Sequence, residues 1–194
     1  MIAFLQGRFV KKTPALVQVD VNGVGYELHI SLHTYAGIAN LDGGLLYTYF
    51  HVREDAQLLY GFIDEAEKEM FTQLIGVSGV GASTARMMLS AMKPAELAAA
   101  ITQGNARQLE SIKGIGKKSA ERIVLELRDK IRKIGPEINN ETLTYNTLEN
   151  DALNALMALG IARTAGEQAL AKVMKLNPRP EKIEDIVKQA LKNI

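Results

Sequence analysis

"LESIKGIGKKSAERIV" (109–124) sets two glycines among three lysines and an arginine, then turns into a helical pattern. Shifting the chain by 35 residues lays "LIGVSGVGASTARMML" (74–89) onto it. Leu74 meets Leu109, Val77 meets Ile112, Gly79 meets Gly114, Val80 meets Ile115, Gly81 meets Gly116 and Ala85 meets Ala120. Two copies fall short of the three or more that a helical solenoid requires. The shared unit is a helix, an apolar-x-Gly-apolar-Gly turn and a second helix. Glycine permits a tight turn with positive φ and lets a foreign backbone approach where no Cβ stands in the way. The apolar residue between the glycines (Val80, Ile115) plugs the turn into its helices. The second helix then opens with unpaired N–H groups, a natural anion site.

Glycine and lysine at a helix start also suggest a nucleotide loop. That loop needs G-x-x-x-x-G-K-[ST], whose lysine reaches the β- and γ-phosphates. The first copy offers Gly76 and then Gly81-Ala82-Ser83, with no lysine. The second has Gly116-Lys117-Lys118-Ser119, but Ser111 stands where the first glycine belongs and Ser119 is one place late. Neither copy follows a strand pattern. The phosphate expected here belongs to a nucleic-acid backbone, and two such units in one domain suit neighbouring phosphates of one duplex.

Charge supports that reading. The net charge of +1 hides a basic block, because residues 107–133 hold nine basic against four acidic side chains. Residues 134–150 hold three acidic side chains and no basic one. The chain lacks cysteine, which excludes disulfides and thiolate metal sites and suits a reducing compartment. No apolar run approaches the roughly 18 residues of a membrane span, so a cytoplasmic location is expected.

Working outward, residues 1–62 read as strands. "ALVQVDV" (15–21) alternates at period two, "NGVG" (22–25) is a hairpin turn and "YELHI" (26–30) runs back. "LLYTYF" (45–50) and "AQLLYGF" (56–62) flank the polar tip "HVRED" (51–55). A small antiparallel barrel of the OB type is expected. Residues 63–133 switch to helical periodicity, beginning with "DEAEKEMFTQLI" (64–75) and followed by "KPAELAAAIT" (93–102). "IGPEINNETLTYNTLEN" (134–150) has no sustained apolar period and reads as a mobile acidic linker. Residues 151–194 hold three amphipathic stretches, separated by Gly160 and "NPRP" (177–180), and are expected to form a small three-helix domain. The fold class is thus multi-domain α+β: barrel, all-α double hairpin, helical tail.

Other residues carry less. His29 and His33 are four apart but fall at a strand end and into a turn, with no third ligand, so no metal site is expected. Met87, Met88 and Met92 read as core filling. Arg128, Lys130, Arg132 and Lys133 end a helix, where they serve either its dipole or DNA. Glu54 and Asp55 at the hairpin tip read as a solvated pair, and adjacent side chains point apart, which argues against a paired-carboxylate active site.

The duplicated "GVGASTA" and "GIGKKSAER" resemble the tandem helix-hairpin-helix motifs of DNA-repair proteins. With "HVREDAQLLYGF" (51–62), the chain resembles nearly throughout the RuvA family, the DNA-binding subunits of Holliday junction branch-migration complexes. The resemblance implies a homotetrameric plate, or an octamer of two plates, holding a four-way junction open and planar in recombination and repair. It implies RuvB, a hexameric ATPase, as the motor partner and the RuvC resolvase as a further one. Such a chain is no enzyme alone and needs no cofactor. By resemblance, the DNA contacts fall on Gly79, Gly81, Ser83, Gly114, Gly116, Lys117, Lys118 and Arg122. Relatives often carry Pro-Lys where this chain has Ala82-Ser83, so the second hairpin is expected to supply more of the salt-dependent affinity. Glu54 and Asp55 become acidic pins that repel phosphates at the junction centre. Leu156, Leu159, Ile161 and Leu191 become a docking patch for the motor on a UBA-like domain, though relatives often have an aromatic at the place of Ile161. A helix-hairpin-helix nuclease or glycosylase, and a general duplex-binding accessory protein, are the competing readings. The enzyme would need a lysine with a paired aspartate or a carboxylate cluster, and none follows Gly116 at a convincing place.

Overall fold

The computed structural model describes residues 1–134, 143–176 and 182–193. The chain divides into two compact units, Met1–Gly135 and Pro136–Ile194.

The first unit opens with five strands, β1 (Phe4–Lys12), β2 (Leu16–Val21), β3 (Val24–Ile30), β4 (Gly43–Val52) and β5 (Gln57–Phe62). They close into a barrel in the order β1-β2-β3-β5-β4. The β2–β3 turn places Asn22 at φ 52° and Gly23 at φ 88°, the two left-handed positions of a tight hairpin whose twist matches its strands. The expected antiparallel pattern fails at one seam, where β3 and β5 run parallel through His29↔Tyr60 and Ile30↔Gly61. Five strands cannot all alternate in direction around a closed barrel, so one pair must run parallel, and an unexpected helix, α1 (Leu32–Ile38), carries the chain from β3 to β4. Ser31 caps it, its Oγ accepting from the Thr34 amide at 3.0 Å. His33 therefore lies on a helix, correcting its expected place in a turn.

β5 is buried on both faces. Leu59 joins Val17, Val19, Leu28, Ile30 and Leu46 inside the barrel, whereas Tyr60 and Phe62 belong to the core of the following helices. Those helices are α2 (Glu65–Ile75), α3 (Ala82–Ala91), α4 (Pro94–Thr102), α5 (Ala106–Glu110) and α6 (Lys117–Ile134). Phe71 of α2 meets Tyr49, Tyr60 and Phe62 with ring centroids 5.4, 5.0 and 4.9 Å away, so one aromatic cluster joins barrel and helices. A buried carboxylate makes a second tie. Glu67 accepts hydrogen bonds from the Ser31 hydroxyl, from the Thr34 hydroxyl at 2.5 Å and from the Ile63 amide at 3.3 Å.

The second unit contains α7 (Leu143–Ala158), α8 (Arg163–Leu176) and α9 (Ile183–Leu191) around Ala152, Leu153, Leu156, Leu170, Val173 and Ile186. The expected linker 134–150 is corrected at both ends: α6 includes Ile134, and α7 begins at Leu143. Leu148 packs against this core one helical turn before Ala152, a contact hidden by the polar residues around it. Residues 135–142 and the "NPRP" separator lie outside the described residues.

Candidate nucleic-acid interface

Two turns of the same construction stand at residues 77–80 and 112–115. The Val80 amide donates to the Val77 carbonyl at 3.0 Å, and the Ile115 amide to the Ile112 carbonyl at 3.0 Å. The third residue of each turn is glycine with positive φ, 89° at Gly79 and 90° at Gly114, which is where a type II turn requires it. Val77, Val80, Ile112 and Ile115 are buried, so each turn is anchored at both ends.

The second glycine of each pair has a different reason. Gly81 takes ordinary extended angles (φ −84°, ψ 165°), and a Cβ at Gly81 or Gly116 would meet nothing within 4 Å. Only the first glycine serves the turn's conformation; the second leaves room in front of the helix. Gly81 caps α3 without a side-chain hydrogen bond. The first backbone bonds within the two helices run from Ala85 to Gly81 at 2.9 Å and from Ala120 to Gly116 at 3.0 Å. The amides of residues 82–84 and 117–119 precede these bonds, at the positive ends of two helix dipoles.

The structure brings the two turns together by an exchange. Arg122 of α6 donates from its guanidinium to the Ser78 carbonyl in the first turn at 3.2 Å. Met87 of α3 lies against the second turn, its Sδ 3.9 Å from where a Gly114 Cβ would be. Met87 and Arg122 are the same position in the two copies, 35 residues apart. Each copy's second helix thus reaches across to the other copy's turn. Met87 is 41% exposed, which corrects its expected role as core, whereas Met88 is buried. Arg122, expected as a DNA contact, is also a brace, and it lies 3.8 Å from Glu126.

Gly79, Ser83, Gly114, Gly116, Lys117, Lys118 and Arg122 are exposed and Gly81 half-buried. The copies differ in charge. Lys113, Lys117 and Lys118 of the second occupy the places of Ser78, Ala82 and Ser83 in the first, and Ala82 is buried. Lys113 went unselected in the sequence, although its place directly before Gly114 marked it as part of the turn. On α6, Arg128, Lys130 and Arg132 are exposed while Leu127 and Ile131 are buried; the Lys133 side chain lies outside the described residues.

The β4–β5 hairpin closes through the Arg53 amide, which donates to the Ala56 carbonyl at 2.8 Å, and Glu54 and Asp55 are exposed at its tip. His29 sits apart on β3, its Nδ1 3.5 Å from the Arg86 guanidinium, which donates to the Ala15 carbonyl at 3.1 Å. Burial first, and then Arg86, pushes its imidazole below the ordinary value against the opposing pull of Glu27. His33 instead lies 3.7 Å from Asp64, so the two histidines share no site. Among the described residues, no three His, Cys, Asp or Glu side chains gather as a metal site.

In the second unit the expected docking patch is corrected at one residue. Leu156 is 0% exposed, while Leu159 and Leu191 are 62% and 43% exposed. The end of α7 explains the difference. Gly160 adopts φ 89°, its amide donates to Met157 at 2.9 Å, and the Ile161 amide donates to Leu156 at 3.1 Å. This pair of bonds is a Schellman closure, which brings Ile161 back onto the core containing Leu156 and leaves Leu159 outward.

Three family descriptions match successive parts of the chain: RuvA N terminal domain over residues 1–61, SAM-like helix-hairpin-helix tandem over 71–129 and RuvA C-terminal domain over 147–194. Proteins named Holliday junction branch migration complex subunit RuvA are similar over their whole length. The Flavobacterium psychrophilum protein is 42% identical, with 100% of both chains covered. That of Cytophaga hutchinsonii is 41% identical over 99% of each chain, and that of Syntrophotalea carbinolica 45% identical over 99% of this chain and 98% of its own. A closed five-stranded barrel, a braced pair of glycine turns and a small helical unit, matched in this order and over this length, place the chain in the RuvA family.

Proposed function

We propose that this protein binds four-way DNA junctions and serves as the DNA-holding subunit of a branch-migration complex. The observation that carries the reading is the cross-braced pair of turns, with two open helix N-termini set side by side in one rigid core. Gly79, Gly81 and Ser83 of the first turn, and Gly114, Gly116, Lys117 and Lys118 of the second, take phosphates of a duplex arm by backbone amides and ammonium groups. Arg122 holds the turns together and adds a cation at the same surface. Glu54 and Asp55 repel phosphates and keep strands apart at the crossover, a form of steering that makes and breaks no bond. Leu159, Leu191 and the half-buried Ile161 are the docking surface for a RuvB ATPase, which supplies the motor. A homotetramer supplies one pair of turns to each of the four arms. The protein works in the cytoplasm, without a cofactor and without catalysis of its own.

The test compares binding to a four-way junction, a plain duplex and a single strand across a salt series, with Mg²⁺ and ATP present. Junction preference without cleavage or ATP turnover is the expected result. Equal affinity for junction and duplex would sink the proposal in favour of a general duplex binder, and strand cleavage would favour a repair enzyme.

A further inference from the structure

The acidic tip has a cation next to it in the chain, and that cation is turned away. Arg53 precedes Glu54 and Asp55 directly, yet none of the ion pairs among the described residues involves any of the three. The Arg53 Nε–H donates instead to His51 Nε2 at 2.9 Å. His51 lies in β4 and Arg53 one residue past its end, two apart in extended chain, where side chains on one face recur at period two. Arginine can only donate, so His51 presents the Nε2 lone pair and carries its ring proton on Nδ1. The imidazole is itself held in place, 6.2 Å from the Tyr49 ring and 6.2 Å, edge-on, from the Tyr60 ring. Tyr60 is buried and Tyr49 packs against the helical core, so the acceptor is built on a rigid base.

We infer that His51 is a positioning residue which holds the Arg53 guanidinium along the strand and so leaves the Glu54 and Asp55 carboxylates without a local counter-charge. An arginine beside two exposed carboxylates would otherwise pair with one of them in some fraction of molecules, and an exposed pair has roughly the strength of a two- to five-fold population bias. Holding Arg53 back keeps the tip at two full negative charges. This inference rests on the repulsive role proposed for the tip, since only there does un-neutralised charge matter.

The test uses the full chain and His51→Phe, which keeps the ring packing on Tyr49 and Tyr60 and deletes the acceptor. In the DNA-free protein, nitrogen NMR should show a coupling between Arg53 Nε and His51 Nε2, absent from the variant; no coupling in the native chain overturns the proposal whatever the tip does. At low salt, H51F should bind a four-way junction about two- to five-fold more tightly, in the same direction as Glu54→Gln with Asp55→Asn. Adding Arg53→Met should abolish that gain, because the freed guanidinium is its source. A merely structural role for His51 would lower the melting temperature and produce no change that depends on Arg53, and that result overturns the proposal. If E54Q/D55N leaves junction binding unchanged, the repulsive reading of the tip fails and the inference goes with it, while the NMR coupling still reports where Arg53 lies.

Discussion

Lys117 and Lys118 stand where the first copy has Ala82 and Ser83, so one duplicated backbone carries two different electrostatic loads. The backbone amides of the two turns are equivalent, and uncharged amides that meet a phosphate release few counterions. The ammonium groups exist on one side only. Lys118→Met should reduce the slope of log K against log salt on a junction by about 0.9, the value of one phosphate contact on a duplex. Ser83→Lys should raise that slope by a similar amount, since Ser83 is exposed and occupies the matching place. Fluorescence anisotropy over a salt series checks both, and an unchanged slope in K118M would remove Lys118 from the interface. Much of this was legible in the sequence, because glycine spacing, the apolar plug and the missing lysine are all local. The exchange between Met87 and Arg122 was not. Both lie one helical turn or more past the glycines, and only the folding of the two copies against each other brings them to the opposite turns.

Among the elements, α1 and α2 are joined by the Glu67 carboxylate. Burial raises it above its ordinary value, and the hydroxyls of Ser31 and Thr34, nearby His33 and the Ile63 amide pull it back only in part. The folded chain therefore holds this proton more tightly than the unfolded chain does. The stability it contributes is complete below the ordinary carboxylate range and declines as pH rises through the raised value. Glu67→Gln fixes the uncharged form, so the urea midpoint of the native chain should fall relative to E67Q across that window. The corresponding difference in unfolding free energy should change by at most about 1.4 kcal/mol per pH unit. Parallel pH profiles of the two proteins would show no divergence if Glu67 stayed charged throughout. The sequence pattern missed α1, because seven residues are too few to show a helical period. It also passed over β1, where Leu5 and Phe9 face inward while exposed Phe4 and Val10 blur the alternation. Short or two-sided elements take their state from the neighbours they pack on, which is information outside their own residues.

For the molecule as a whole, the two units have separate cores and separate proposed tasks, which makes them separable by mutation. Leu159→Asp combined with Leu191→Asp should leave junction affinity within about two-fold of native, as expected for surface changes outside the unit that carries the turns. The same variant should lose stimulation of a RuvB ATPase. Leu156→Asp should instead melt α7, α8 and α9 by burying a charge, with loss of helical circular dichroism. Equal ATPase stimulation by native protein and L159D/L191D would dismiss the docking surface.

The connection after β5 has a mechanical meaning. Only Ile63 and Asp64 separate β5 from α2, and the chain bends there so that Phe71 of α2 packs back on Tyr60 and Phe62 of β5. Phe71 ties this fold-back to the aromatic cluster, and Glu67 ties α2 to α1 through Ser31 and Thr34. A load on the hairpin at residues 53–56 is therefore shared between β5 and α2 through packed side chains rather than absorbed in the two-residue link. Under the role proposed for the tip, a strand sliding past it would meet a stop held by two elements at once.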